Sequence, residues 1–243
     1  MTPDPIFIAV GGEKTTARIY RAAPASSIDA ALVLAHGAGA PQQSAFMVGF
    51  ARGLADRGVD VLTFNFLYME QRRRVPDRTD KLEACYRAAI AAAREHLASN
   101  GVFIGGKSMG GRIATHLAAA DDAETLGIAG VVLLGYPLHP PGRPDQLRAA
   151  HLQNIRVPML IVQGERDPFG TPAELQPIVD TMSARVTLHL VEKGDHSLAP
   201  SRRAEAVATT YAALQDLIAQ WLAMPSGRDR GSGIRDRKSV FDP

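Results

Sequence analysis

The chain has a single cysteine, Cys85, so it cannot build a disulfide framework or a cysteine-based metal site. Cys85 falls within a helical pattern and is expected to act as a small buried apolar residue. The opening Met-Thr-Pro-Asp-Pro-Ile-Phe lacks a basic segment followed by an apolar one, so no secretory leader is read. No apolar run approaches membrane-spanning length. A cytoplasmic protein without membrane contact is the expectation. A dominant charge is also missing. Lys and Arg number 27 against 25 Asp and Glu, and residues 225–243, with five basic and three acidic side chains, hold the whole excess. That balance carries no nucleic-acid footprint.

What is present is a regular alternation of strand and helix patterns. With 243 residues and 46% hydrophobic content, one large core can form. Strand patterns Ile6–Val10 and Thr16–Ala22 flank Gly11-Gly12, the mark of a hairpin. Ala31–Ala35 is continuously apolar, as in a strand covered on both faces. Further strands are expected at 59–66, before Gly106, and at 128–136, 157–163 and 185–191. Helices are expected at 44–57, 79–98, 109–120, 172–182 and 202–222. On the helix at 79–98, Leu82, Cys85, Ala89, Ala93 and Leu97 share one face, and Val207, Tyr211, Leu214, Ile218 and Trp221 form a stripe on the last. Alternation of this kind implies a mostly parallel sheet with helices on both faces. Residues 1–224 are read as one domain. Residues 225–243, rich in Gly, Ser and Arg and poor in apolar side chains, are read as a disordered tail.

The sharpest signal is Gly106-Lys107-Ser108-Met109-Gly110, a G-x-S-x-G run directly after a strand pattern. This is the signature of a nucleophile elbow, where a tight strand-to-helix turn lifts a serine hydroxyl. Gly101-x4-Gly106-Lys107-Ser108 also satisfies the phosphate-loop pattern. Context separates the two. Val102, Phe103, Ile104 and Gly105 read as strand, not loop, and the next apolar run, Ile128 to Tyr136, has no acid to hold magnesium.

A serine nucleophile needs a base, and the base needs an orienting acid. Downstream of Ser108, Asp167 follows the strand at 157–163, and His196 follows the strand at 185–191. The order Ser, Asp, His is that of the elbow-bearing hydrolases. Glu165 is the alternative acid; Asp195, adjacent to His196, reads as a turn residue. His96, His116 and His189 lie inside regular elements and are given no chemistry. His-Gly-Ala-Gly-Ala at 36–40 supplies the second oxyanion loop. The expected donors are the N–H groups of Ala38 and Met109, with His36 stabilising the loop. No cofactor or metal site is read.

The motifs at 36–40 and 105–112, Gly-Tyr-Pro-Leu-His-Pro-Pro-Gly-Arg at 135–143, and Gly-Asp-His-Ser-Leu at 194–198 together resemble dienelactone-hydrolase-related α/β hydrolases. The similarity is strongest to the branch containing bacterial homologues, testis-expressed protein 30 and a subunit of a histone-acetyltransferase complex, and spans roughly residues 16–222. It implies the α/β-hydrolase fold with a mostly parallel eight-stranded sheet, and Ser108, Asp167 and His196 as a triad. Dienelactone hydrolase itself carries cysteine at the elbow, so its own substrate does not transfer. The segment between Tyr136 and Pro158 leaves no room for a large lid. Tyr68, Arg72, Tyr136, Leu138 and His139 are the candidate pocket residues. Arg72 to Arg74 are weighed as a contact for an anionic substrate group against a solvated, salt-bridged loop. The expected partner is a small-molecule acyl substrate. The alternative function is a non-catalytic interaction or scaffold protein built on a hydrolase fold.

Overall fold

Gly11 and Gly12 make the two-residue hairpin that the sequence requires. Gly11 takes φ +60°, the positive value needed at the first position of a type II′ turn, and closes β1 (Ile6–Val10) onto β2 (Glu13–Tyr20). The computed structural model describes residue 3, residues 5–97, residue 99 and residues 101–224. The expected tail at 225–243 lies outside the described residues.

Beyond the hairpin, strands and helices alternate. They run β3 (Ala30–Ala35), α1 (Ala45–Ala55), β4 (Val59–Phe64), α2 (Leu67–Glu70), α3 (Thr79–His96), β5 (Gly101–Lys107), α4 (Met109–Ala118), β6 (Ile128–Leu134), β7 (Met159–Gly164), α5 (Pro172–Val179), β8 (Val186–Val191) and α6 (Ala204–Ala223). The eight strands form one sheet in the order β1-β2-β4-β3-β5-β6-β7-β8. β2 pairs antiparallel with β1 and β4, and every pair from β4 through β8 is parallel. Between β6 and β7 the chain forms only a short 3-10 turn, Ala150–Asn154, and no large lid.

Burial follows the patterns. All six residues of β3 and of β7 are buried, because helices cover both faces of the central sheet. On one face Leu82, Cys85, Ala89, Ala93 and Leu97 pack with Ile104, Ile113 and Leu117. On the other, Phe50 and Leu54 of α1 pack with Leu214, Ile218 and Trp221 of α6. Val207 and Tyr211 of the last stripe are only partly buried; Tyr211 instead meets Phe46 and Phe50 at ring-centroid distances of 5.4 and 5.1 Å. No helix among the described residues is long and apolar enough to cross a membrane.

This strand order fixes the site. From β3 the chain steps to β4 on one side and then crosses to β5 on the other, so the loops after β3 and β5 diverge around a crevice. Such a switch point, at the carboxyl edge of a parallel sheet, is where ligands bind in open α/β folds.

Candidate active site

Ser108 stands between β5 and α4 with φ +50° and ψ −116°, a strained backbone for a residue with a side chain. The flanking glycines make the turn possible. A Cβ on Gly106 would lie 2.5 Å from the Ala35 oxygen, and one on Gly110 would lie 2.5 and 2.6 Å from the oxygens of Ala35 and His36. Either atom would push β3 off the elbow. Val102 to Gly105 are buried strand residues, so the chain from Gly101 to Ser108 is strand and elbow rather than a loop able to wrap phosphate.

Asp167 is carried by the loop after β7 and is 2% exposed. That loop is tied to the one after β8, because Glu165 N–H donates to Val191 O and Arg166 N–H to Gly194 O, at 3.0 and 2.8 Å. The tie sets His196 between acid and serine. Its Nδ1 lies 2.8 Å from Asp167 Oδ2, and its Nε2 lies 2.8 Å from Ser108 Oγ. A carboxylate can only accept, so Nδ1 carries the proton and Nε2 is free to accept from the hydroxyl. The Phe169 ring lies 4.2 Å from the imidazole, centroid to centroid.

The competing residues are otherwise engaged. Glu165 accepts from Lys193 N–H at 2.7 Å, and Asp195 Oδ1 accepts from Ser197 and Ala199 N–H at 2.7 and 3.1 Å. His36 is fully buried. Its Nε2 accepts from Phe66 N–H at 3.1 Å while its Nδ1 meets Gly37 O at 2.7 Å, and burial pushes its pKa down to about 4. It is therefore a neutral strut that pins the loop after β3. That loop abuts the elbow: a Cβ on Gly37 would lie 3.6 Å from Ser108 Cβ.

Two residues not singled out from sequence hold this arrangement in place. Gln163, buried within β7, places Nε2 3.0 Å from Asp167 Oδ2 and 2.6 Å from Gly170 O, and its Oε1 accepts from Tyr136 N–H at 2.7 Å. The second is Lys107, whose ammonium donates to His196 O and sits 5.9 Å from the Phe46 ring centroid. Burial pushes Lys107 down to about 8, with Asp167 and Asp195 opposing that shift. A polar residue near the end of an otherwise apolar strand was the available signal for Gln163.

Ser108 and His196 open into a cavity of about 630 Å³, which Ala38 and Met109 also line. Its apolar wall includes Phe46, Met47, Leu82 and Phe169, and Arg112 and Arg148 add charge. The five pocket residues expected from sequence lie elsewhere. Tyr68 is buried behind the loop, donating from its hydroxyl to Ala38 O at 2.9 Å. Tyr136 turns its hydroxyl to Arg148 O at 2.6 Å, and Leu138 packs in the core. His139 is 5% exposed and meets Glu174 Oε1 at 3.2 Å. Arg72 lines a neighbouring cavity with Arg73 and Arg74, one that Ser108 does not reach. Strand-end position alone does not say what lines a pocket; side-chain direction decides it.

The same architecture recurs in solved structures. An α/β serine hydrolase homologue from Coxiella burnetii superposes with a TM-score of 0.71 at 17% identity, covering 90% of this chain and 97% of that one. A lidless α/β serine hydrolase from Xanthomonas campestris gives 0.70 at 17% identity, covering 93% and 97%. Dienelactone hydrolase from Anabaena variabilis gives 0.67 at 20% identity, covering 91% and 97%. At these identities the likeness speaks for the fold. Residues 28–224 match the family model described as an alpha/beta hydrolase domain, and with this sheet and this elbow the chain belongs to the α/β-hydrolase family.

Proposed function

We propose that the protein is a cytoplasmic serine hydrolase that cleaves an ester or thioester of a small to medium acyl substrate through an acyl-enzyme, without a cofactor. The observation that carries this reading is the continuous path Ser108 Oγ, His196 Nε2, His196 Nδ1, Asp167 Oδ2, with 2.8 Å at each of its two hydrogen bonds. In this mechanism Ser108 Oγ attacks the carbonyl carbon as its proton passes to His196 Nε2, and buried Asp167 stabilises the imidazolium. Collapse of the tetrahedral intermediate expels the alcohol or thiol, which takes the proton from His196. Water then attacks the acyl-serine, gives a proton to His196, and releases the acid when Ser108 takes that proton back.

The oxyanion formed at each attack is assigned to the N–H groups of Met109 and Ala38. Met109 is the first residue of α4, and the N–H of a first helical residue has no acceptor within its own helix, which leaves it for a developing negative charge. Ala38 lines the same cavity from a loop that meets the elbow. Within the family, the resemblance carried by the four motifs supports a place in the branch with testis-expressed protein 30. The test is labelling with a fluorophosphonate probe. Wild type should label rapidly, and Ser108→Ala and His196→Ala should not. A folded wild type that fails to label would remove the hydrolase reading in favour of a scaffold on this fold.

A further inference from the structure

The cavity beside Ser108 is lined by two cations, Arg112 and Arg148, that have no side-chain partner among the described residues. Arg112 lies one helical turn beyond the nucleophile, its N–H donating to Ser108 O at 3.0 Å, which sets its side chain on the face of α4 below the serine. Arg148 enters from the segment between β6 and β7. The backbone of that residue is clamped, since its N–H donates to Leu138 O at 2.7 Å and its carbonyl accepts from Tyr136 Oη at 2.6 Å. Among the described residues neither guanidinium has a hydrogen-bond or ion-pair partner, although both are partly buried. Acids nearby are committed elsewhere. Asp77, which also lines the cavity, is held by Arg73 at 2.6 Å and by Tyr68 N–H at 2.9 Å, and Glu83 meets His116 Nδ1 at 3.0 Å.

Two half-buried guanidinium groups in one cavity, neither with an ion-pair partner among the described residues, are costly unless something supplies one. Arg112 is held below its ordinary pKa first by burial and then by the charge of Arg148, with Tyr136 and Glu83 opposing that shift, so the two guanidinium groups feel each other. The same field reaches His151, pushed down to about 4 by burial, His116 and Arg112. We propose that Arg112 and Arg148 form an oxyanion-binding subsite that selects esters or thioesters carrying a second, anionic group, a carboxylate or a phosphate. Planar guanidinium forks match either group bidentately. The cation expected from sequence at Arg72 to Arg74 lies in the neighbouring cavity; this pair shares a cavity with the nucleophile.

The inference rests on the serine-hydrolase reading, and the test separates the two. The kcat/KM of wild type is measured on 4-nitrophenyl hydrogen glutarate against 4-nitrophenyl methyl glutarate, and on 4-carboxyphenyl butyrate against phenyl butyrate. The first pair charges the acyl side and the second the leaving side. At least one charged ester should exceed its neutral partner by about 10- to 100-fold, the value of a charged hydrogen-bonded pair. Arg112→Met and Arg148→Met should each erase most of that ratio while fluorophosphonate labelling, the check on folding, persists. Competition needs no variant. Glutarate and 3-phosphonopropionate should inhibit wild-type hydrolysis of 4-nitrophenyl butyrate where neutral glutaramide does not, and the stronger of the two identifies carboxylate or phosphate. Turnover of neutral esters with no charged preference and no inhibition by either anion would overturn the subsite and leave the hydrolase standing. Absence of both turnover and labelling would overturn the hydrolase itself.

Discussion

Asp167 can orient His196 only if its own position is fixed, and Gln163 is the side chain that fixes it, with Nε2 3.0 Å from Asp167 Oδ2. Replacing Gln163 with Leu removes a hydrogen bond to a charged acceptor and leaves Tyr136 N–H unmatched in the core. Gln163→Leu should lower kcat on a 4-nitrophenyl ester about tenfold with KM little changed, the cost of one such bond realised at the transition state. A KM rise at constant kcat would contradict the positioning role. At this scale the sequence was uneven. Ser108, Asp167 and His196 were readable because each sits where a strand ends, and strand ends can be counted. Lys107 was harder because the carbonyl it reaches, on His196, is 89 residues on, and Gln163 because a polar residue in a buried strand does not show which neighbour it meets. Tyr136, Leu138 and His139 were placed near the site by the same counting, yet their side chains turn into the core and toward α5.

At the scale of elements, the elbow depends on how β3 and β5 are held together beneath it. Tyr86 of α3 reaches into the sheet there. Its hydroxyl accepts from Gly105 N–H at 2.8 Å and lies 2.8 Å from Val33 O and 2.6 Å from Gly105 O. Complete burial pushes its pKa well above the ordinary tyrosine value. Tyr86→Phe should therefore destabilise the fold by about 1–3 kcal/mol, the cost of leaving a buried backbone group unsatisfied. Urea unfolding should show this as a lower midpoint at unchanged slope. No change in midpoint would mean that the hydroxyl contributes nothing. Helices and strands were legible from periodicity, and their ends differ by only a few residues from those read. The exception is α2, at Leu67–Glu70. A four-residue helix is too short to show a period, and it forms where Phe66 and Tyr68 are drawn into the core.

For the whole molecule, buried histidines couple stability to acid, His36, His151 and His189 all being held below the ordinary value. His36 and His151 are both pushed down to about 4, chiefly by burial, from an ordinary 6.5. The unfolded chain takes up these protons below about pH 6.5, and the folded chain resists until about pH 4. Stability is therefore full above pH 6.5 and is lost as pH falls toward 4, by up to about 3 kcal/mol for His36. In His151→Gln the fall between pH 6.5 and 4 should be shallower than in wild type; parallel curves would remove His151 from the account.

The proposed hydrolysis requires that Ser108 carry the acyl group during turnover. The most direct measurement is to acid-quench the protein during hydrolysis of 4-nitrophenyl butyrate and to locate any added mass by peptide mass spectrometry. A butyryl group is expected on the peptide containing Ser108 and none in Ser108→Ala. Turnover that persists in Ser108→Ala, or an acyl group on another residue, would contradict it.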